Sequence, residues 1–330
     1  MSPAAHTSLL VPQRPFSGTF IALALCLMGQ LGQAAPLSQP AALPGPERRV
    51  AFDDAVAATF PGGAPAACRS PDVRCLMVER YRHQPSAQRA ALALWDEAGS
   101  VAGVERPWEM DGGFRGTVQL VPELPVGVHE RHLHWTLDAM REVGTFLRVV
   151  EQHTGVKPRF YYQGLEFRYL RSVNGRSPSA YATGQSWQVG YNVDGGLMSS
   201  ASAVRDVLVH EIFHLNDVNR AGWSRRTLAP MVEQITEACG TDRSCLAPYA
   251  PRSLTVRGGT FYAFQPNNGD MATEYAAEAA VRYFNEQMAA LRGQQHPGGW
   301  FKCGRKENAR TMELLRDEFF AGLDLTPACR

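Results

Sequence analysis

His210, Glu211 and His214, in the run Val204-Arg-Asp-Val-Leu-Val-His210-Glu211-Ile-Phe-His214, have the residue types and the spacing for metal chemistry. Residues four apart on a helix stand one above the other on one face. Two imidazoles there can take two corners of a tetrahedral zinc site, at about 2.0–2.1 Å per Zn–N bond. Glu211 is turned by about 100° around the axis from His210, away from chelation and toward a water on the metal. Two ligands with a base between them is the physical content of H-E-x-x-H.

Two histidines leave zinc short of a third protein ligand and an open position. Asp217 and Arg220 stand where a Gly and a third His would extend the motif, so that solution is closed. The run Asp270-Met-Ala-Thr-Glu274-Tyr-Ala-Ala-Glu278 is a strong helix former, with Asp270 or Asn268 as its cap. It carries Glu274 and Glu278 one turn apart on one face, where two carboxylates repel unless a cation sits opposite. Glu274 as ligand leaves Glu278 to take the N–H of a liganded imidazole. Asp217 and His296 are the competing third ligands.

These groups must be carried by rigid elements. Val204, Leu208, Ile212 and Leu215, with Val207 and Val218, recur at helical spacing, and Val209 and Phe213 add apolar bulk on the far side. The spacing predicts a helix buried nearly all round, which needs a reason for its polar residues. Periodicity predicts further helices over 86–98 and 131–153, and strands over 114–121, 166–173 and 186–193. The fold class is α+β, with helices against one sheet. No carboxylate or Cys pair completes a ligand set with His129, His132 and His134, which are expected to be exposed or near a helix cap.

Residues 1–46 contain no acidic residue, and Arg14 precedes the apolar run Phe20–Met28, with Ala34 and Ala35 after it. This is the order of a signal peptide, taken as residues 1–35; a run of nine apolar residues is too short to span a bilayer. Residues 36–106 are assigned to a Pro-rich linker and an N-terminal extension, and 107–330 to the main domain. Without the leader, six of the seven cysteines remain, an even number that fits three disulfides in an exported chain, secreted or periplasmic. Close spacing favours Cys68–Cys75 and Cys239–Cys245, leaving Cys303 with Cys329. No later stretch is apolar enough to cross a membrane. The formal net charge of +1 has no basic stripe, which argues against nucleic acid as a partner.

The two motifs together, His210-Glu211-Ile-Phe-His214 and, about sixty residues on, Glu274-Tyr-Ala-Ala-Glu278-Ala, resemble those of the gluzincin metallopeptidases. The second is similar in form to the branch that contains anthrax lethal factor and the Pro-Pro endopeptidases. The resemblance covers roughly residues 160–290. It implies a zincin-like fold: a small mixed sheet, an active-site helix and a mainly helical C-terminal subdomain. It also implies Glu274 as ligand, Glu278 as its supporting carboxylate, and a strand before the metal helix, here 186–193, that pairs with extended substrate. The family's oxyanion-stabilising Tyr, seven residues before the ligand Glu, falls on Asn267, and Tyr262 is taken in its place. The expected activity is a monomeric zinc endopeptidase with one Zn²⁺ per chain, acting on protein or peptide. The metal activates a water, Glu211 moves the proton, and Tyr262 stabilises the oxyanion. The rivals are a zinc hydrolase for another amide or ester, such as cell-wall material, and a non-catalytic peptide-binding protein on the same fold.

Overall fold

The strand Glu166–Ser172 (β4) is the axis of a six-stranded mixed sheet, because it has neighbours on both sides along its length. Along one side, Val101–Val104 (β1) pairs parallel with its first half and Thr117–Pro122 (β3) antiparallel with its second half; Trp108–Asp111 (β2) pairs in turn with β3. On the other side lies Gln188–Asn192 (β6), parallel to β4, and beyond it Ala180–Thr183 (β5), antiparallel to β6. The computed structural model describes residues 49–329, apart from 112–115, 184–185, 257 and 267. The leader, linker residues 36–48, Phe114 and Asn267 therefore lie outside the described residues.

The helices are Phe52–Thr59 (α1), Val73–Arg80 (α2), Pro85–Ala98 (α3), Glu130–Thr154 (α4), Ala201–Val218 (α5), Trp223–Cys239 (α6), Arg243–Leu246 (α7), Met271–Leu291 (α8) and Lys306–Phe319 (α9). The chain is thus α+β, with a mixed sheet and a run of helices after it. Helix α4 lies on the sheet face that carries Tyr169 and Tyr191. Tyr169 donates to Thr136 Oγ1 at 2.8 Å, and Tyr191 Oη is 3.0 Å from His132 Nδ1. His132 is fully buried, and burial pushes its pKa down to about 4. That corrects the expectation of an exposed or cap-region histidine: position 132 falls on the sheet-facing side of α4, where the Tyr191 hydroxyl meets the ring nitrogen.

Two further features bear on what the sequence suggested. Strand β1 comes from the stretch assigned to an N-terminal extension, and Leu76, Leu94 and Trp95 join the same core as α5 and α8. Described residues on both sides of 106/107 thus belong to one core. The strand expected at the substrate-facing edge, 186–193, forms as β6 but is enclosed between β4 and β5. The outer position belongs to β5, too short to show a clear alternation in sequence. It is clamped by Tyr181, whose ring lies across Gly190 so closely that an added Cβ there would sit 2.2 Å from it. The Tyr181 hydroxyl donates to Glu105 Oε2 at 2.9 Å, fastening β5 to the sheet.

All three disulfides form as spacing favoured: Cys68–Cys75, Cys239–Cys245 and Cys303–Cys329. Among the described residues no helix is long and apolar enough to cross a membrane.

Candidate metal centre

Helix α5 starts at Ser200, whose hydroxyl accepts from Ala203 N–H and caps it. Val204, Leu208, Ile212 and Leu215 are fully buried, and Val209 and Phe213 on the far side nearly so; Val218, at the end, is exposed. The helix that carries the histidines is held on almost every side, which fixes where they point. Helix α8 starts at Asp270, which accepts from Thr273 N–H at 3.0 Å and so is the cap, with Glu274 in the first turn. The two helices pack so that three potential ligand atoms converge. His210 Nε2 is 2.9 Å from His214 Nε2 and 3.2 Å from Glu274 Oε2, and His214 Nε2 is 3.6 Å from Glu274 Oε1. Ligand atoms at tetrahedral corners with bonds of about 2.0–2.1 Å would be roughly 3.3 Å apart. His210, His214 and Glu274 therefore form a group that could hold a metal ion.

A test of fit is where the polar atoms find partners. Glu274 Oε2 is buried and accepts no hydrogen bond. A buried carboxylate oxygen without a donor is costly, and a cation between it and the two imidazoles removes the cost. On the far side of His210, Nδ1 lies 3.1 Å from Glu278 Oε1. An ionised carboxylate only accepts, so Nδ1 carries a proton, and Nε2 faces His214 and Glu274. Two imidazoles and a carboxylate are a donor set that zinc takes.

The charges agree with this. Burial alone would lower His210, but Glu274 and Glu278 lift it to about 10, while burial and the neighbouring His210 hold His214 down at about 4. Burial would raise Glu274, yet the two histidines and Tyr262 keep it below the usual carboxylate range. The surroundings thus favour one positive charge among the three groups. Burial, with help from Glu274, pushes Glu211 up to about 7, against the pull of His210 and the Ala182 backbone N–H. Tyr262 has its ring 5.8 Å from that of His210. Burial, then Glu274, raises its hydroxyl well above the ordinary value, so it stays a proton donor.

His210, Glu211, Tyr262 and Glu278 line a cavity of about 590 Å³, with Ala180 of β5 on one wall and Leu254 and Val256 on another. Asn192 N–H donates to Ser179 C=O. In an antiparallel pair such bonds alternate, so Ala180 and Ala182 turn their backbone groups to the outer edge of β5. Two features of this site were not recognised from sequence. The edge strand Ala-Tyr-Ala-Thr has too few residues to declare itself, and Arg252, on the cavity wall, is one loop arginine among many with no motif around it.

The competing ligands go elsewhere. Asp217 is buried, and its carboxylate takes Ser224 N–H at 2.7 Å and the Ser224 hydroxyl at 2.6 Å, holding the first turn of α6. His296 Nδ1 accepts from Gly298 N–H at 3.2 Å, outside the cluster. Asp217→Ala is therefore expected to cost about 2–3 kcal/mol of stability, by stranding the buried Ser224 donors, while leaving His210, His214 and Glu274 as able to hold a metal ion as before. Denaturant unfolding and metal analysis of the same sample check both halves.

No protein-family model, curated protein or solved structure matches this chain, so the reading of the site rests on its own residues and geometry.

Proposed function

We propose that this protein is an exported zinc endopeptidase of the gluzincin type, hydrolysing peptide bonds in extended protein or peptide segments. The observation that carries this is the meeting of His210 Nε2, His214 Nε2 and the Glu274 carboxylate, whose buried Oε2 accepts no hydrogen bond, with Glu211 beside them on the cavity wall. Zn²⁺ bound by His210, His214 and Glu274 would supply Lewis acidity, which acidifies a water and polarises a carbonyl. Glu211 takes the proton of the attacking water and delivers it to the leaving amine, a task that suits a carboxylate lifted to about 7. Glu278 holds the His210 Nδ1 proton and keeps the ring oriented. Tyr262 donates its hydroxyl to the oxygen that gains charge as the scissile carbon becomes tetrahedral.

The outward backbone groups of Ala180 and Ala182 support an extended substrate laid along β5: the Ala182 N–H favours the Glu211 carboxylate, and those of Ala180 are left for a main-chain partner. The zincin-like arrangement is supported by the same packing of β5 and α5 around the site. Export is supported by the three disulfides.

Incubation with casein and a peptide library, with and without a chelator, tests the reading. Cleavage that chelation abolishes and Zn²⁺ restores is expected. Cleavage unaffected by chelation would overturn the metallopeptidase, and peptide binding without cleavage would leave a binding protein on this scaffold.

A further inference from the structure

Glu278 does not hold His210 alone. Its Oε1 also accepts from Arg252 Nη1 at 3.2 Å, and Arg252 Nη2 donates to Asp206 Oδ2 at 3.1 Å. Asp206 lies one turn before His210 on α5, and Glu278 lies on α8. One guanidinium in the loop after α7 therefore bridges the two helices that bring His210, His214 and Glu274 together. Asp206 is in turn fixed by Arg205 Nη2 at 2.8 Å and Asn285 Nδ2 at 3.2 Å, so the far end of the bridge cannot swing. The same loop carries the other wall of the cavity. Two residues past Arg252, Leu254 C=O accepts from Tyr262 N–H at 2.8 Å, which sets the backbone of the phenol donor.

We infer that Arg252 is a positioning residue for the metal centre: its fork holds the Glu278 carboxylate on the His210 Nδ1 proton and registers the Tyr262 loop against α5 and α8. This rests on His210, His214 and Glu274 binding a metal. The physical case is geometric. Glu278 is almost wholly buried, and its Oε1 is shared between an imidazole and a guanidinium. Among the described residues, Arg252 is the only group besides His210 that hydrogen-bonds that oxygen. The planar fork matters as well as the charge, since Nη1 and Nη2 serve different carboxylates, and a single ammonium would have to choose between them.

Zn²⁺ affinity, measured by competition with a chromophoric chelator, tests this in the full mature chain. Wild type is measured first: if it binds no zinc, the metal reading itself falls. If it binds one equivalent, Arg252→Met is expected to weaken binding about 10–100-fold, the range for outer partners of a metal ligand. Arg252→Lys, which keeps the charge and loses the fork, is expected to fall between the two. In a Glu278→Gln background, Arg252→Met should add less than about twofold, because the residue acts through that carboxylate. Arg252→Met binding zinc within about twofold of wild type, or an effect that persists undiminished in the Glu278→Gln background, would overturn the inference. Should Arg252→Met not fold, Arg252→Lys decides, with wild-type affinity counting against it.

Discussion

Glu211→Gln is expected to retain one equivalent of zinc and to lose turnover by about 10²–10⁴-fold, the usual contribution of a general base. The amide is nearly the same shape as the carboxylate and can still accept from the Ala182 N–H, so the wall of the cavity is preserved. What it cannot do is take a proton. Glu211 stands next to His210 in sequence but makes no part of the converging group His210, His214 and Glu274, so its substitution leaves the three proposed ligands in place. The substitution also removes a buried carboxylate that Glu274 already destabilises, so folding should not suffer. Metal analysis beside a peptide-cleavage assay reads both quantities. Zinc lost together with activity would mean that Glu211 is a ligand, and the division of labour within the helix would have to be redrawn.

Glu274→Gln should have the opposite signature, with loss of metal as the primary effect. Its carboxylate faces both imidazoles at 3.2 and 3.6 Å and brings the only negative charge of the three-residue group. We expect zinc affinity to fall by about 10³-fold, more than the 10–100-fold set for outer partners such as Glu278. Thermal stability gives an independent readout. A protein in zinc at 1,000 times its dissociation constant gains about 4 kcal/mol, whereas a variant bound 10³-fold more weakly gains roughly 0.4 kcal/mol at the same concentration. The zinc-induced rise in Tm should therefore nearly vanish in Glu274→Gln, while Asp217→Ala and His296→Ala keep it. An undiminished rise in Glu274→Gln, with loss in Asp217→Ala, would remove the assignment of the third ligand.

The sequence alone determined what depends on spacing along a single element. Helices expected over 86–98 and 131–153 appear as Pro85–Ala98 and Glu130–Thr154, and the strand expected over 166–173 as Glu166–Ser172. The reason is that helical and extended periodicity decide which side chains share a face, whatever lies opposite. The i, i+4 pairing of His210 with His214 and the separate direction of Glu211 follow from the same rule. Disulfide pairing was legible for a related reason: short loops place Cys68 near Cys75 and Cys239 near Cys245, and only one pair is left.

Tertiary structure decided everything that depends on which element lies beside which. Asp217 and Glu274 were both plausible ligands by type, and only packing shows Asp217 spent on Ser224 and Glu274 facing both histidines. His132 reads as one of three clustered histidines near a helix start until the sheet brings Tyr191 against it. The outer strand went unrecognised because β5 is only four residues long, and its place beyond β6 is set by pairing alone. Arg252 had no signal at all: its meaning comes from Asp206 and Glu278, 46 and 26 residues away, which meet only when α5 and α8 are packed. Side-chain chemistry is local and can be read in order, but the convergence of charges from distant elements is set by the burial that brings those elements together.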